Sequence, residues 1–300
     1  MKLELLDRLM PALEKRPPRV KLRLFTSGSC RHPEWVTLRG GGLRPVTIPA
    51  MWACIEHPSY GWILFDTGYA ARFLEATSRL PEKLYRMMTP VQFLSEESAA
   101  EQLRRTGIDP AQVGKIVISH FHADHVAGLR DFPNARFIYN PVAYEAVREL
   151  TGLSALRRAF LPELLPEDFE SRSDTLASAP VITLPPELGF PFPSARDVLG
   201  DGSLLAVDLP GHADGQIGLL LATELHTYFL CADAAWSSRA YREARPPHPL
   251  AGVIMPSRSD YRESFGRIIQ FHRQFPEVRI IPSHCAEASS RWTPGRGTLL

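Results

Sequence analysis

Three imidazoles and a carboxylate fall within six residues, His120-Phe121-His122-Ala123-Asp124-His125, directly after the short apolar run KIVIS at 115–119. Packing does not account for that density of polar nitrogen and oxygen at the end of a strand. Imidazole nitrogen and carboxylate oxygen are the ligands that borderline cations such as Zn²⁺ take, and a catalytic site of this kind leaves one position open for water. On a tight turn His120 and His122 can face one cation while Asp124 and His125 face another. One local cluster therefore predicts a site for two divalent metals.

The rest of the chain shows what carries that turn. β-rich runs occupy 20–28, 47–58 and 61–68, separated by turns at Gly40-Gly41-Gly42 and at Pro58-Ser59-Tyr60-Gly61, so an antiparallel sheet is expected there. Residues 69–107 read as helical, most clearly from Ser95 to Arg105, with Ser95 as the N-cap. A further strand over 136–141 leads to a helix over 142–150. The strand pattern resumes from 203 to 236, and a helix over 261–275 precedes the strand at 278–284. At the N-terminus, Leu3, Leu5, Leu6, Leu9, Met10 and Leu13 suggest a helical appendage within residues 1–19, stopped by Pro17-Pro18. The remainder, 20–300, reads as one α/β domain. Within it, 151–200 is too rich in proline, leucine and charge, and too long, to be a plain connection. It is expected to be an insertion or lid.

Composition narrows the function classes. Lysine plus arginine number 34 against 33 aspartates plus glutamates, so the chain as a whole has no field that would gather nucleic acid. No apolar run reaches the roughly 20 residues a membrane helix needs, and charges interrupt the N-terminus where a signal peptide would be apolar. A cytoplasmic protein with no nucleic-acid or membrane partner is the expectation, and a homodimer stays open. The four cysteines, Cys30, Cys54, Cys231 and Cys285, lack CxxC pairing and read as reduced, buried thiols. His32, His57, His226, His248 and His272 have no partner at ligand spacing.

The arrangement HxHxDH, in its context SHxHxDHxxGL from Ser119 to Leu129, resembles the signature of the metallo-β-lactamase superfamily. That resemblance implies a four-layer αββα sandwich with further ligands at downstream strand ends, and three matching places follow in order. Leu209-Pro210-Gly211-His212 would complete the three-histidine set of His120, His122 and His212. Asp233, ending YFLCAD, would bridge both metals, and His284, ending IIPSH, would join Asp124 and His125 at the second. Asp66 of the triplet Asp66-Thr67-Gly68 would support the site from behind its ligands. His122 stands where di-iron flavoprotein relatives carry glutamate, and Asp233 where β-lactamases proper carry cysteine or serine, so neither oxygen reduction nor antibiotic hydrolysis is expected. Cys231 is not counted as a ligand.

Within the superfamily the order of elements looks most like the N-acyl-homoserine lactonases. The resemblance implies a metallo-hydrolase that opens a lactone or ester of a small molecule, using water activated by two cations, most simply Zn²⁺, with Fe, Mn or Co as alternatives. Asp124 would move the proton. Where those enzymes hold the lactone carbonyl with a tyrosine this chain has Trp236, whose indole N–H can donate. In the 151–200 segment, Phe160 and Leu164 are candidates for an apolar substrate wall; the other reading is an insertion packed on the body or on a second subunit. Phosphodiester or organophosphate hydrolysis on the same metals, and a metal-containing binding or regulatory protein with little turnover, are the competing functions.

Overall fold

The computed structural model describes residues 16–184 and 186–293. The helix expected over 3–15 lies outside the described residues. Two sheets face each other. The first contains β1 (Lys21–Pro33), β2 (Pro45–His57), β3 (Gly61–Phe65), β4 (Val91–Gln92), β5 (Val113–Val117), β6 (Arg136–Tyr139) and β7 (Ser173–Thr175), in the order β4-β1-β2-β3-β5-β6-β7. The second contains β8 (Val181–Thr183), β9 (Ser194–Asp197), β10 (Leu204–Asp208), β11 (Ile217–Ala222), β12 (Thr227–Ala232) and β13 (Arg279–Pro282), in the order β13-β12-β11-β10-β9-β8. The meander β1-β2-β3 is antiparallel and β3, β5, β6 and β7 run parallel. In the second sheet, among the described residues, only the β12–β13 pair is parallel.

Period-two side-chain alternation explains the layering, because the central strands are apolar on both faces and must be covered on both. Met51, Ala53 and Ile55 of β2 point between the sheets, where they meet Leu219, Leu221, Tyr228 and Leu230. Ala50, Trp52 and Cys54 point outward to a layer that includes Phe73, Leu103 and Phe137. On the far side Phe229 packs edge-to-face on Phe192 at 5.5 Å and on Phe271 at 5.2 Å. Phe271 belongs to the helix Arg258–Gln274, which buries Phe265, Ile268 and Phe271 against this sheet and is capped by Ser257 accepting from the Asp260 N–H. Helices, sheet, sheet and helix give the four-layer αββα sandwich of the metallo-β-lactamase type.

Three expectations are modified. The helical stretch expected over 69–107 is broken into Ala71–Ala76, Lys83–Met88 and Ala99–Arg105, with β4 inserted, because Pro81 and Pro90 cannot donate a backbone hydrogen bond. Its last piece starts at Ser98, whose hydroxyl accepts from the Glu101 N–H, and not at Ser95. In the segment 151–200, β7 extends the first sheet while β8 and β9 edge the second, so its later part belongs to the sandwich itself. The earlier part folds back on the body: Phe160 and Leu164 are 1% and 0% exposed and lie in the outer core of the first sheet. Ala159, at φ 48°, turns the chain there and sends those side chains inward.

At the end of the sandwich where β2 finishes and β10 begins, His57 ties the sheets together. Its Nδ1 accepts from the Ser59 and Tyr60 N–H groups at 3.1 Å each. Its Nε2–H therefore faces Ser203 Oγ and Asp201 Oδ2, both at 3.1 Å. Burial, opposed by the Asp201 carboxylate, lowers its pKa below the ordinary 6.5. A histidine whose folded pKa is depressed contributes stability that is complete above its unfolded pKa and is lost as pH falls toward the folded value. Between pH 7.5 and 5.5, Tm should accordingly fall further in the wild-type chain than in His57→Gln; equal slopes would remove His57 from the acid response.

Candidate metal centre

The opposite end of the sandwich gathers every residue of the expected ligand set. His120, His122, Asp124 and His125 leave the end of β5 through a turn and the short helix Ala123–Val126. His212 follows β10, Asp233 follows β12 and His284 follows β13. Two groups form, His120, His122, His212 and Asp233 in one and Asp124, His125 and His284 in the other, the ligand atoms of each lying within 4.8 Å of one another. Asp233 Oδ2 joins them, 3.0 Å from His212 Nε2 and 2.9 Å from His284 Nε2.

Hydrogen bonds fix which nitrogen each imidazole turns inward. Ser119 donates its N–H and hydroxyl to Asp66, at 2.8 and 2.7 Å, so its oxygen is free to accept from His120 Nδ1 at 2.9 Å. His125 Nδ1 donates to Asp66 Oδ2 at 2.8 Å, and His284 Nδ1 donates to the Pro49 carbonyl at 2.8 Å. In each ring Nε2 is the nitrogen left facing the cluster. His120 Nε2, His125 Nε2 and Asp233 Oδ1 are buried without a hydrogen-bond partner. His212 Nε2 stands 3.0 Å from His122 Nδ1 as well as from Asp233. Acceptors facing acceptors at such distances need a proton or a cation between them. The donor set, five imidazoles and two carboxylates, fits divalent metal ions.

Electrostatics points the same way. Burial and neighbouring imidazoles hold His120 and His122 well below the usual imidazole range, in the neutral form that ligates. At His125 and His284 burial acts in the same direction but is outweighed by Asp233, helped by Asp124 and, for His125, by Asp66. His125 is held well above its ordinary value and His284 is pushed up to about 9. Asp233 itself is held well below the carboxylate range, because His284, His125 and His212 outweigh its burial. The two carboxylates thus demand positive charge at this spot.

The Asp66-Thr67-Gly68 triplet acts as a buttress. Asp66, at φ 61°, accepts three hydrogen bonds from Ser119 and His125. The Thr67 N–H and hydroxyl both donate to the His125 carbonyl at 2.9 Å, and the same hydroxyl accepts from the Gly128 N–H at 3.1 Å. Gly68 packs so closely on Ser27 that a Cβ would lie 2.6 Å from that side chain. Removing the carboxylate in Asp66→Ala should lower metal affinity or kcat/KM by about 10- to 100-fold, read by metal titration and steady-state kinetics; wild-type values in both would remove Asp66 from the site.

A cavity of about 510 Å³ opens on this cluster, touching His122, Asp124, His212, Asp233 and His284. Trp236 lines it, with its ring edge-on to His212 at 5.7 Å and its Nε1–H buried without a partner. Phe160 and Leu164 are absent from its wall; Leu153, Leu156, Arg157 and Ala159 represent their segment instead. Sequence reading also missed Tyr69, Tyr85, Cys30 and His32 at the wall. Tyr69 directly follows the Asp66-Thr67-Gly68 triplet, which is the one signal that marked any of them. Burial, reinforced by the Asp124 charge, keeps both phenols protonated. Cys231 lies in the core beneath the helix Arg258–Gln274, because the strand register shifts between Leu230 and Ala232 and Ala232 adopts φ 47°.

Known proteins share this architecture. The chain is 28% identical over 247 residues to the N-acyl homoserine lactonase AttM of Azorhizobium caulinodans, covering 80% of this chain and 86% of that protein. It is 27% identical over 235 residues to a probable metallo-hydrolase of Mycobacterium tuberculosis, covering 75% and 71%. Among solved structures, an N-acyl homoserine lactone hydrolase with the product N-hexanoyl-L-homoserine bound at its catalytic metal centre superposes with a TM-score of 0.67 at 18% identity, over 92% of this chain and 97% of that one. The family model described as the metallo-beta-lactamase superfamily matches residues 55–284, a span that includes all seven clustered side chains and Asp66, and the chain belongs to that superfamily.

Proposed function

We propose that this metallo-hydrolase opens a lactone or ester whose acyl part is apolar. The observation that carries the reading is the cavity: large enough for a small-molecule substrate, walled mainly by apolar side chains, and opening directly on Asp124, Asp233 and the histidines. Similarity to proteins named N-acyl homoserine lactonase supports it. His120, His122, His212 and Asp233, with Asp124, His125 and His284, would hold two divalent cations, zinc before iron, manganese or cobalt, which when bound would supply Lewis acidity and lower the pKa of the attacking water.

The chain's own residues do the rest. Asp124, 12% exposed beside the cavity and with Oδ2 3.4 Å from His284 Nε2, takes the proton of the attacking water and returns it to the leaving oxygen. The partnerless Trp236 Nε1–H meets the substrate carbonyl, the role the lactonase resemblance gives to a tyrosine, and Tyr69 and Tyr85 add neutral donors. The apolar walls hold the acyl group and exclude water. Turnover on a panel of acyl-lactones, aryl esters and phosphodiesters tests the reading. Lactone or ester hydrolysis should dominate and drop about 10²- to 10⁴-fold in Asp124→Ala. Phosphodiester cleavage alone would assign organophosphate-type chemistry, and metal binding without turnover would assign a binding role.

A further inference from the structure

Several apolar residues of the cavity wall do not stay inside it. Leu84, Met88, Leu153, Leu250 and Val253 line its mouth. Each is at least 40% exposed, Met88 reaching 74% and Val253 72%. Leu80 and Met87, 69% and 65% exposed, continue the surface outward along the helix Lys83–Met88 and the turn before it. Isolated apolar side chains on a surface need no explanation, but a cluster drawn from three separate segments around one opening does.

Cations are interleaved with this rim. Arg79, Lys83 and Arg86 alternate with Leu80, Leu84, Met87 and Met88 along the chain, and Glu82 is the one acid in 79–88. Arg157 lines the mouth from the opposite segment. None of these four cations has an ion-pair partner among the described residues. Elsewhere pairing is frequent, as in Arg136–Asp174, Arg239–Glu243 and Arg242–Glu287. In a chain whose net charge is only +1 the rim is thus a local concentration of unopposed positive charge on an apolar surface.

We propose that the rim docks on the surface of an anionic phospholipid bilayer, with the apolar tips entering the boundary between headgroups and acyl chains and the four cations facing the lipid anions. Long basic side chains suit this placement, since their stems lie along apolar matter while their heads stay among polar groups. A second copy of this chain fits the surface less well: an isologous contact would set the same unopposed cations against each other. Docking is a property of the rim and does not depend on which bond the site hydrolyses.

Co-sedimentation of the full chain with lipid vesicles tests this. Binding is expected to vesicles of equal parts phosphatidylcholine and phosphatidylglycerol, to be absent with phosphatidylcholine alone, and to weaken as salt is raised. Lys83→Gln and Arg86→Gln should each lower the partition coefficient about fivefold, and Met88→Asp should abolish binding at low salt while Tm and far-UV circular dichroism stay at wild-type values. Indifference to lipid charge, no binding to either vesicle, or binding that survives the three substitutions would each overturn the proposal. So would a solution dimer that the same substitutions dissociate, which would give the rim to a second copy.

Discussion

Asp233→Ala is expected to lower kcat/KM by about 10³-fold or more, since one carboxylate is asked to serve both halves of the site and cation stabilisation of developing charge is worth several kcal/mol at 1.36 kcal/mol per decade. Its Oδ2 approaches both His212 and His284 within 3.0 Å, so no neighbouring side chain substitutes for it. Metal content measured alongside the kinetics should fall below that of the wild type, and the stabilisation conferred by added metal should shrink with it. Activity within tenfold of wild type at unchanged metal content would show that the cluster is not the catalytic centre.

Gly211→Ala should be the most destabilising single methyl addition among the glycines near the site. Gly211 sits at φ 118°, and a Cβ there would lie 2.0 Å from the Tyr261 backbone nitrogen and 2.5 Å from its Cα. Backbone at the start of the helix Arg258–Gln274 cannot swing aside as a side chain can. Overpacking and left-handed strain together predict a loss of about 4 kcal/mol or more, with His212 displaced from the cluster. Gly107→Ala is the control: at φ 82° with nothing within 4 Å of its would-be Cβ, it carries only conformational strain of about 1–2 kcal/mol. Similar Tm values for the two variants in thermal unfolding would contradict the close approach at Gly211.

The strands and the cluster from His120 to His125 are readable from local signals, whereas His212, Asp233 and His284 are marked by the family resemblance. Two-sided apolar runs such as 47–58 become central strands, and a ligand at a strand end follows its strand wherever the sheet carries it. The cavity wall was not readable. Leu84 and Met88 lie on a six-residue helix and Leu153 and Leu156 on a five-residue one, too short for a 3.6-residue period to show. Phe160 and Leu164 have the same composition as their upstream neighbours, and the left-handed Ala159 that separates wall from core carries no mark in its residue type. The broken region 69–107 illustrates the same limit: helix-forming residues predominate, but the two prolines and the pairing of β4 with β1 decide the outcome.

Among the paired groups, the two ends of the sandwich are fastened differently. At one end a neutral imidazole, His57, latches the β2–β3 turn to the approach of β10 through ordinary hydrogen bonds. At the other, side chains following β5 are set against side chains following β10, β12 and β13, and their mutual repulsion or attraction depends on what charge lies between them. The seam therefore has a metal-independent tie at one end and a charge-dependent clasp at the other. If the proposed cations bind at the clasp, their removal should loosen the sandwich from that side first, and the cavity mouth would be the part of the molecule most sensitive to metal supply.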